Sequence, residues 1–584
     1  MALVPMQKIA VIAHKPKEEQ LLELLQKEGV LEISDIPESV NVDHTEFNYR
    51  AAELDFAIQR LLAFADKETQ GALRKKATEE QIVSAALHTD IRGAIDRVHA
   101  LEASDQEIRK NLAAGAGTSP GGGSDVQPAY FASSSLRDEV EKIGGGTAAS
   151  GATEEEMKAR EDRAKELLKK NDADRTALSK ELPQLVLARQ YLRWLHDKQA
   201  VREAMQRTRS TVILLGWLAK EKWHALEQKL HRALPESALL KMKTDEHDEA
   251  PVLLRNPKML QPFESVTTLY GLPQSSEIDP TPLLSLFFIL FFGLCLTDAG
   301  YGLSLALIMG AWIWKKKLTI EEGRLWWLLM IGGIVTFFVS IPFGGWFGLS
   351  PTQVPSFLTV DVNHDGVADL FKGQIWNLGE TKGITFLQNL SIALGVIHLS
   401  LGIFLSGYSK WRIDRKAAAF WLDWTTLILF AAVGIYFLVQ STWQPVALYG
   451  IFGTLALVIW GKGYGSVWYL RPLFGLLGFV NLAMGMLSNT LSYLRLLALG
   501  LVTGALALAV NLVAEQLSSL LPVYLGIPVM IMIYLVGHLV NIALNTLGAF
   551  IHSGRLQFVE FFGQFFEGGG RPFQPFRRAI YSAS

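Results

Sequence analysis

A chain of 584 residues with a formal net charge of −2 and a pI near 6.7 has no bulk cationic surface for nucleic acid, and no nucleic-acid partner is expected. Its single cysteine, Cys295, excludes an internal disulfide framework and a cysteine-rich metal site. A mean hydropathy of +0.22 hides a split: residues 1–280 are rich in Lys, Arg, Glu and Gln, and residues 281–584 in Leu, Phe, Ile, Gly and Trp.

The opening stretch, MALVPMQKIAVIAHKPKEE, has only a short apolar run before charges begin, so no cleavable signal peptide is expected and the N-terminal half is read as cytosolic. Met6–Ala13 predicts a strand, Pro16–Glu28 an amphipathic helix with proline at its start, and Val30–Ile36 a second strand. From Thr45 to Leu112 the pattern is helical and charged. Two Gly/Ser-rich runs over 114–152 read as a loop, and helix returns from Glu154 to about Arg207. Two long polar helices joined by a loop pack most simply as an antiparallel coiled-coil stalk; an ordinary helical domain is the plainer alternative. TVILLGWLAKEKWHALEQKL then returns to the α/β lobe, and Pro251, Pro257, Pro262, Pro273, Pro280 and Pro282 mark an extended connector.

Apolar segments follow near 283–314, 325–347, 384–408, 418–440, 446–460, 473–521 and 527–562. The first would be roughly 48 Å as one helix, against a hydrocarbon core of about 30 Å, and Asp298 with nearby glycines interrupts it. It reads as a hairpin of two short spans, giving eight in all. Eight spans put Lys315–Lys317, the Lys410–Lys416 cluster, Lys462 with Arg471, and the basic tail on the side of the N-terminal domain, as the positive-inside rule requires. The expected fold is therefore mainly α. A cytosolic α/β lobe (1–44 and 208–280) carries a long antiparallel helical stalk (45–207). A polytopic membrane domain of about eight helices (281–584) follows, its last two helices long and tilted.

Arg495 stands in the middle of one of these last helices, where a lone arginine costs about 2.5–3.5 kcal/mol or more. Such a residue persists when it faces water, a carboxylate or another protein. At helical spacing Asn481, Ser488 and Ser492 share its face, and Thr503, Asn511 and Glu515 continue on a rotated face. They read as two aqueous half-paths that stop at one cation; the alternative is polar glue between helices. On the final helix His538, Asn541, Asn545, Gly548, His552 and Arg555 recur at spacings of three and four, a polar stripe with a second arginine. His398 and Asp298 are weaker signals of the same kind.

In the long loop opposite the cytosol, DVNHDGVADL places Asp361, Asn363, Asp365 and Asp369 at positions 1, 3, 5 and 9 around Gly366, with the Val367 carbonyl as a further oxygen. The pattern resembles integrin-type calcium loops and would hold a structural Ca²⁺; position 12 is Lys372, so it departs from the EF-hand. A metal-free polar turn is the other reading.

PTPLLSLFFILFFGLCLTDAGYG, LGVIHLSLG, NTLSYLRLLALGL and LGAFIHSGRLQFVEFFGQFFEGGGRPFQPF resemble the membrane half of subunit a, or subunit I, of V-type and A-type rotary ATPases. GWLAKEKW, PVLLRNPKMLQPFESVTTLYGLP and EIDPTP resemble the cytosolic half. The resemblance implies a static membrane subunit beside a rotating proteolipid ring whose carboxylates carry H⁺ or Na⁺. It implies peripheral-stalk and central-stalk partners, a lipid surround and a multi-pass place in a prokaryotic plasma membrane, with both termini cytosolic. Arg495 matches the family's essential arginine and Arg555 its second. With Ser488, Ser492, Glu515, His538, Asn541, Asn545, His552 and Gln557 they form the expected ion-translocation set. Thr503 and Asn545 depart from the His and Glu of some members, and the Gly-rich 114–152 stands where the family has a folded distal lobe. No Walker motif is present: GKG at Gly461–Gly463 lacks both the upstream glycine and the following Ser/Thr. The chain is therefore not expected to be an enzyme by itself or to require a cofactor, and ATP chemistry falls to partner subunits. A stand-alone ion transporter with a regulatory cytosolic domain is the alternative. It would need its own ion site and usually internal repeats, and no convincing repeat is found.

Overall fold

The computed structural model describes residues 3–34, 45–73, 77–115, 154–244, 248–439 and 443–578. Most of the expected Gly/Ser-rich loop, 116–152, lies outside the described residues. The chain is mainly helical and divides into two compact units: Met6–Glu246 with Gln574–Ser584, and Met1–Pro5 with His247–Phe573.

The first unit is built on an antiparallel sheet. Strand β1 (Met6–His14) leads through a proline-started turn into α1 (Glu18–Glu28), which ends on Gly29 in the left-handed region, and then β2 (Leu31–Ile33). After the helical arm come β3 (Thr211–Ala219), α8 (Trp223–Ala233) and β4 (Ala238–Lys241). The order is β2-β3-β1-β4, and β1 pairs with β3 from Met6↔Ala219 to His14↔Thr211, a split β-α-β arrangement. Alternating Ile9, Val11 and Ala13 with Val212 and Leu214 face Leu21, Leu22, Leu25, Leu226 and Leu230 of the two helices. Gly216 is required here, because a Cβ would lie 2.4 Å from the Glu32 carbonyl oxygen.

The arm departs from a two-helix stalk. Its first side is four helices, α2 (Thr45–Leu62), α3 (Lys67–Leu73), α4 (Glu79–His88) and α5 (Ile91–Gly115). The return side is α6 (Glu154–Leu178) and α7 (Leu182–Ala204). Local caps break the first side: Asp66 accepts from the Thr69 N–H at 2.7 Å, Thr78 forms a capping box with Gln81, and Asp90 accepts from the Gly93 N–H. Helices α2, α3 and α4 pack on α7, and α5 packs against α6.

The second unit begins with residues 248–280, placed by sequence with the lobe; they join the apolar helices because Phe263 and Val266 of α9 (Gln261–Tyr270) share a core with Leu284 and Phe288. Asn256 Nδ2 bridges Glu264 and Asp279 at 3.1 Å each, Arg324 pairs with Glu264 at 3.2 Å, and Asp279 accepts from the Thr281 N–H and hydroxyl. This buried knot starts the first apolar helix.

That first segment does break where Asp298 interrupts it. Helix α10 (Thr281–Leu296) ends on Thr297 in the left-handed region, and Asp298 caps α11 (Ala299–Lys316) by accepting from the Tyr301 N–H at 2.9 Å. There follow α12 (Arg324–Ser340), α13 (Thr381–Arg412), α14 (Thr425–Leu438, entered through a π-helical turn Ala419–Trp424), α15 (Gln444–Lys462), α16 (Arg471–Ser492), α17 (Leu494–Ser519) and α18 (Val523–Arg555). Six helical stretches among the described residues are long and apolar enough to cross a membrane, α16 with α17 counting as one; α10 is apolar but shorter.

Candidate functional site

Helices α16 and α17 are nearly continuous, and the joint is at Tyr493. Its N–H bonds back only three residues, to the Thr490 carbonyl at 3.1 Å, a local tightening of the helix. The Tyr493 side chain is fully buried against Gly395 of α13, where a Cβ would lie 2.7 Å from the ring. Its hydroxyl is 2.8 Å from Nδ1 of His398, an imidazole stacked between Phe287 at 4.3 Å and Phe561 at 4.1 Å.

Arg495 follows two residues later. It is half-buried, its Nη1 is enclosed without a hydrogen-bond partner, and among the described residues no carboxylate forms an ion pair with it. Arg555, Glu560 and Cys295 are within electrostatic reach. The pairing of α17 with α18 explains why Arg495 and Arg555 share a level: Asn511 faces His538, and the two arginines lie 16 and 17 residues from that pair (511 − 495 and 555 − 538). His552 lies close to both arginines, and its Nδ1 is also enclosed and unpartnered. Two arginines and an imidazole in one seam, with no carboxylate ion-paired to either arginine among the described residues, make a place poised to accept negative charge.

The rest of the α18 stripe forms a hydrogen-bonded chain. The Phe347 carbonyl accepts from Asn511 Nδ2 at 2.9 Å, and Asn511 Oδ1 lies 3.0 Å from His538 Nε2. His538 Nδ1 lies 2.6 Å from the Tyr301 hydroxyl, which accepts from Asn541 Nδ2 at 2.7 Å. Asn545 Nδ2 donates to the Asn541 carbonyl at 3.0 Å and to its side-chain oxygen. Tyr301, Asn511, Asn541 and Asn545 are all buried, so α11, α17 and α18 are laced by this chain.

The other expected residues are more dispersed. Asn481 and Ser488 are exposed, and Ser492 turns its hydroxyl back to the Ser488 carbonyl at 3.2 Å. On the rotated face, Thr503 and Asn511 do not line an open path in this structure. Thr503 is fully buried and donates to the Cys295 and Leu499 carbonyls; Thr503, Ala507, Asn511 and Ala514 make one packed face of α17. Glu515 is exposed at the end of that face and accepts from Gln353 at 3.4 Å. Gln557 is fully buried beside His398, its amide atoms without partners in good geometry.

Sequence reasoning missed Tyr301, Tyr493 and Glu560. Glu560 is 2% exposed with Oε2 unpartnered. Its signal was hidden because the 3–4 stripe ends at Arg555, where the helix changes to a π-helical turn, Leu556–Phe561. Five residues along an α-helix would turn Glu560 roughly 140° from Arg555. In the structure Glu560 is buried while Arg555 is exposed.

The acidic turn is an exposed loop with His364 and Gly366 in the left-handed region. Asp361 accepts from the Gly366 N–H at 2.8 Å, Asp365 from Val367 at 2.9 Å, and Asp369 from Val362 and Asn363 at 3.1 and 3.2 Å. These are the hydrogen bonds of a polar turn, yet Asp361 Oδ1 is enclosed and unpartnered. Among the described residues no three His, Cys, Asp or Glu side chains converge tightly enough to hold a metal.

Together these features define a multi-pass helical membrane protein with an arginine-bearing polar seam between its last two long helices. The profile of the V-type ATPase 116 kDa subunit family matches residues 147–347 and 478–578, the second stretch spanning that seam, and the chain belongs to this family. It is 41% identical over 354 residues to the A-type ATP synthase subunit I of Methanocaldococcus jannaschii, covering 57% of this chain and 50% of that one. It is 31% identical over 395 residues to the Thermococcus kodakarensis subunit I of the same name (65% and 56% covered). To the V-type ATP synthase subunit I of Chlamydia pneumoniae it is 24% identical over 418 residues (63% and 61%). The chain spans about half the length of the first of these relatives and little more of the others.

Proposed function

We propose that this chain is the static membrane subunit of a rotary V/A-type ATPase, holding ion half-paths beside a proteolipid ring and coupling H⁺ or Na⁺ movement to rotation. The observation that carries this is Arg495: a permanent cation at mid-helix, without an ion-pair partner among the described residues, in a seam shared with Arg555 and His552. A ring carboxylate brought to about 4 Å would gain about 4 kcal/mol at an effective dielectric near 20. It then gives up its ion before passing and reloads beyond the arginine, so ions cannot leak past without turning the ring. ATP chemistry is left to partner subunits, with peripheral and central stalks completing the machine.

Eight crossings, with α10 and α11 as a short pair, are the topology proposed for a prokaryotic plasma membrane. The presence of residues 574–578 in the same compact unit as Met6–Glu246 supports an even number of crossings, with both ends on one side. The acidic turn is proposed to take Ca²⁺ through Asp361, Asn363, Asp365, Val367 and Asp369, as a brace for the external loop.

The test is to purify the complex through this chain and ask whether a small carboxylate-bearing proteolipid ring comes with it. In that complex Arg495→Ala should assemble but lose ATP-driven ion uptake. Arg495→Lys should transport poorly, because an ammonium is a compact donor that loses its proton when desolvated. Normal uptake by assembled Arg495→Ala complexes, or purification without a ring, would overturn the proposal.

A further inference from the structure

Helix α15 ends and α16 begins at one corner of the membrane unit, where Gly463 and Gly475 leave no room for a Cβ against the carbonyls of Arg471 and Ile459. That close approach sets Arg471, the first residue of α16, among three rings. Its guanidinium carbon lies 5.1 Å from the centre of Trp460 and 5.5 Å from those of Trp421 and Tyr464. The π turn Ala419–Trp424 is the facing wall. Trp421 belongs to it, the Leu422 carbonyl accepts from Lys462 Nζ, and Asp423 pairs with Lys410 at 2.7 Å. Of the three cations that meet this turn, the two lysines hold its oxygens. Arg471 has rings but, among the described residues, no ion pair, and its Nε and Nη2 are enclosed without a hydrogen-bond partner.

Rings attract a cation over their faces but offer no acceptor in the guanidinium plane, where its N–H bonds point. Arg471 is half-buried, so its charge is partly stripped of water and still lacks an anion. The surroundings indicate what kind of anion fits. Trp468 and Tyr469, just before α16, are exposed, as in the aromatic belt of a membrane–water interface. Phe474 and Leu477, one turn and nearly two turns further along α16, are exposed as well, so apolar surface continues from the cage along the helix. Arg412, Arg415 and Lys416 add exposed positive charge in the loop that leads into the same π turn. A cation at an interface, beside an apolar helix face, suits a ligand with an anionic head and hydrocarbon tails. A free anion would have no use for the apolar face.

We infer that the α15–α16 corner is a binding site for an anionic phospholipid, with its phosphate at the exposed edge of Arg471 and its acyl chains along Phe474 and Leu477. The phosphate supplies the partner that Arg471 lacks, through charge-assisted hydrogen bonds. Basic pockets between membrane helices on the cytosolic side take such head groups. Arg471 precedes Arg495 by 24 residues (495 − 471), about 36 Å along the helical stretch, so the inference stands apart from the half-path reading.

The test places the intact chain in nanodiscs of phosphatidylcholine alone or mixed with phosphatidylglycerol, and compares the unfolding midpoints. Wild type should melt several degrees higher with phosphatidylglycerol. Arg471→Gln should lose most of that difference, while Lys315→Gln, which removes an exposed cation from another basic loop, should keep it. A purely structural cation–π post predicts that Arg471→Gln lowers both midpoints alike and leaves their difference unchanged. That result overturns the inference, as does equal melting of wild type in the two lipids. Inorganic phosphate added to phosphatidylcholine discs should give no comparable rise; if it gives the whole rise, the site takes a free anion and the lipid assignment falls. Should Arg471→Gln fail to fold, wild type decides. A phosphatidylglycerol analogue photoreactive near its head group should label residues 419–424 and 460–474 about fivefold more than the matching phosphatidylcholine analogue. Labelling spread evenly over the helix ends of that membrane side overturns the inference.

Discussion

Arg495 and Arg555 were legible at the scale of single residues because charge in an apolar run is conspicuous whatever the fold. Glu560 was not, although it lies five residues past Arg555, because reading a helix at 3.6 residues per turn puts it on another face. Tyr301 was hidden for a different reason: a tyrosine in an apolar helix reads as core, and only its partners from α17 and α18 show its hydroxyl at the centre of a chain. That hydroxyl lies against His538 at 2.6 Å and accepts from Asn541 at 2.7 Å. Tyr301→Phe keeps the ring and orphans both partners. With interhelical bonds averaging about 0.6 and reaching about 1.7 kcal/mol in membranes, the loss should be roughly 1–3 kcal/mol. Thermal unfolding of the detergent-purified protein should show it as a lowered midpoint. An unchanged midpoint would mean that the lacing of the three helices contributes nothing to holding them.

Among elements, the break between α10 and α11 was readable because Asp298 and its glycines are both helix punctuation and too polar for lipid. The four-way division of residues 45–115 was also written in the sequence, in Asp66, Thr78 and Asp90, but each cap is worth only about 1 kcal/mol and is easily outvoted by continuous helical periodicity. The acidic turn shows where pattern alone cannot decide. Its spacing suits an ion, while its backbone N–H groups already occupy one oxygen of each of three aspartates. If Ca²⁺ completes the site, adding it should raise the unfolding midpoint of the intact protein and EDTA should reverse this, with Asp365→Ala abolishing the response. Equal midpoints for wild type and Asp365→Ala with and without calcium would establish the metal-free turn.

For the whole molecule, the split between a polar and an apolar half was evident from composition, but not that the two compact units would draw on both ends of the chain. In the first unit α1 is tied to α7 by Glu19 with Lys198 and Arg202, and Arg202 and Arg207 also reach Glu18. The hydrogen bond from Lys198 holds the Glu19 carboxyl below its ordinary value despite some burial; burial pulls Glu18 upward, but Arg207 and Arg202 outweigh it. Because these folded values are depressed, their stabilisation is present above the ordinary carboxylate pKa of about 4.3 and is lost as the pH falls through the folded values. Protection of α1 amides in the intact protein, corrected for intrinsic exchange, should be flat above about pH 5 and decline below it, less so in Glu19→Gln. An equal acid response in both would remove these pairs from the account. The same unit is closed by the chain's last described residues: Gln574 donates to Glu32 at 2.6 Å, Phe576 enters the core beside the sheet, and Arg578 reaches Glu23 and Glu79. Gln574 and Glu32 are 542 positions apart. At ribosomal speeds of about 5–20 residues per second, Glu32 is made roughly half a minute to two minutes before Gln574. The contacts of residues 574–578 with this unit can therefore form only after the helices between α9 and α18 have been made.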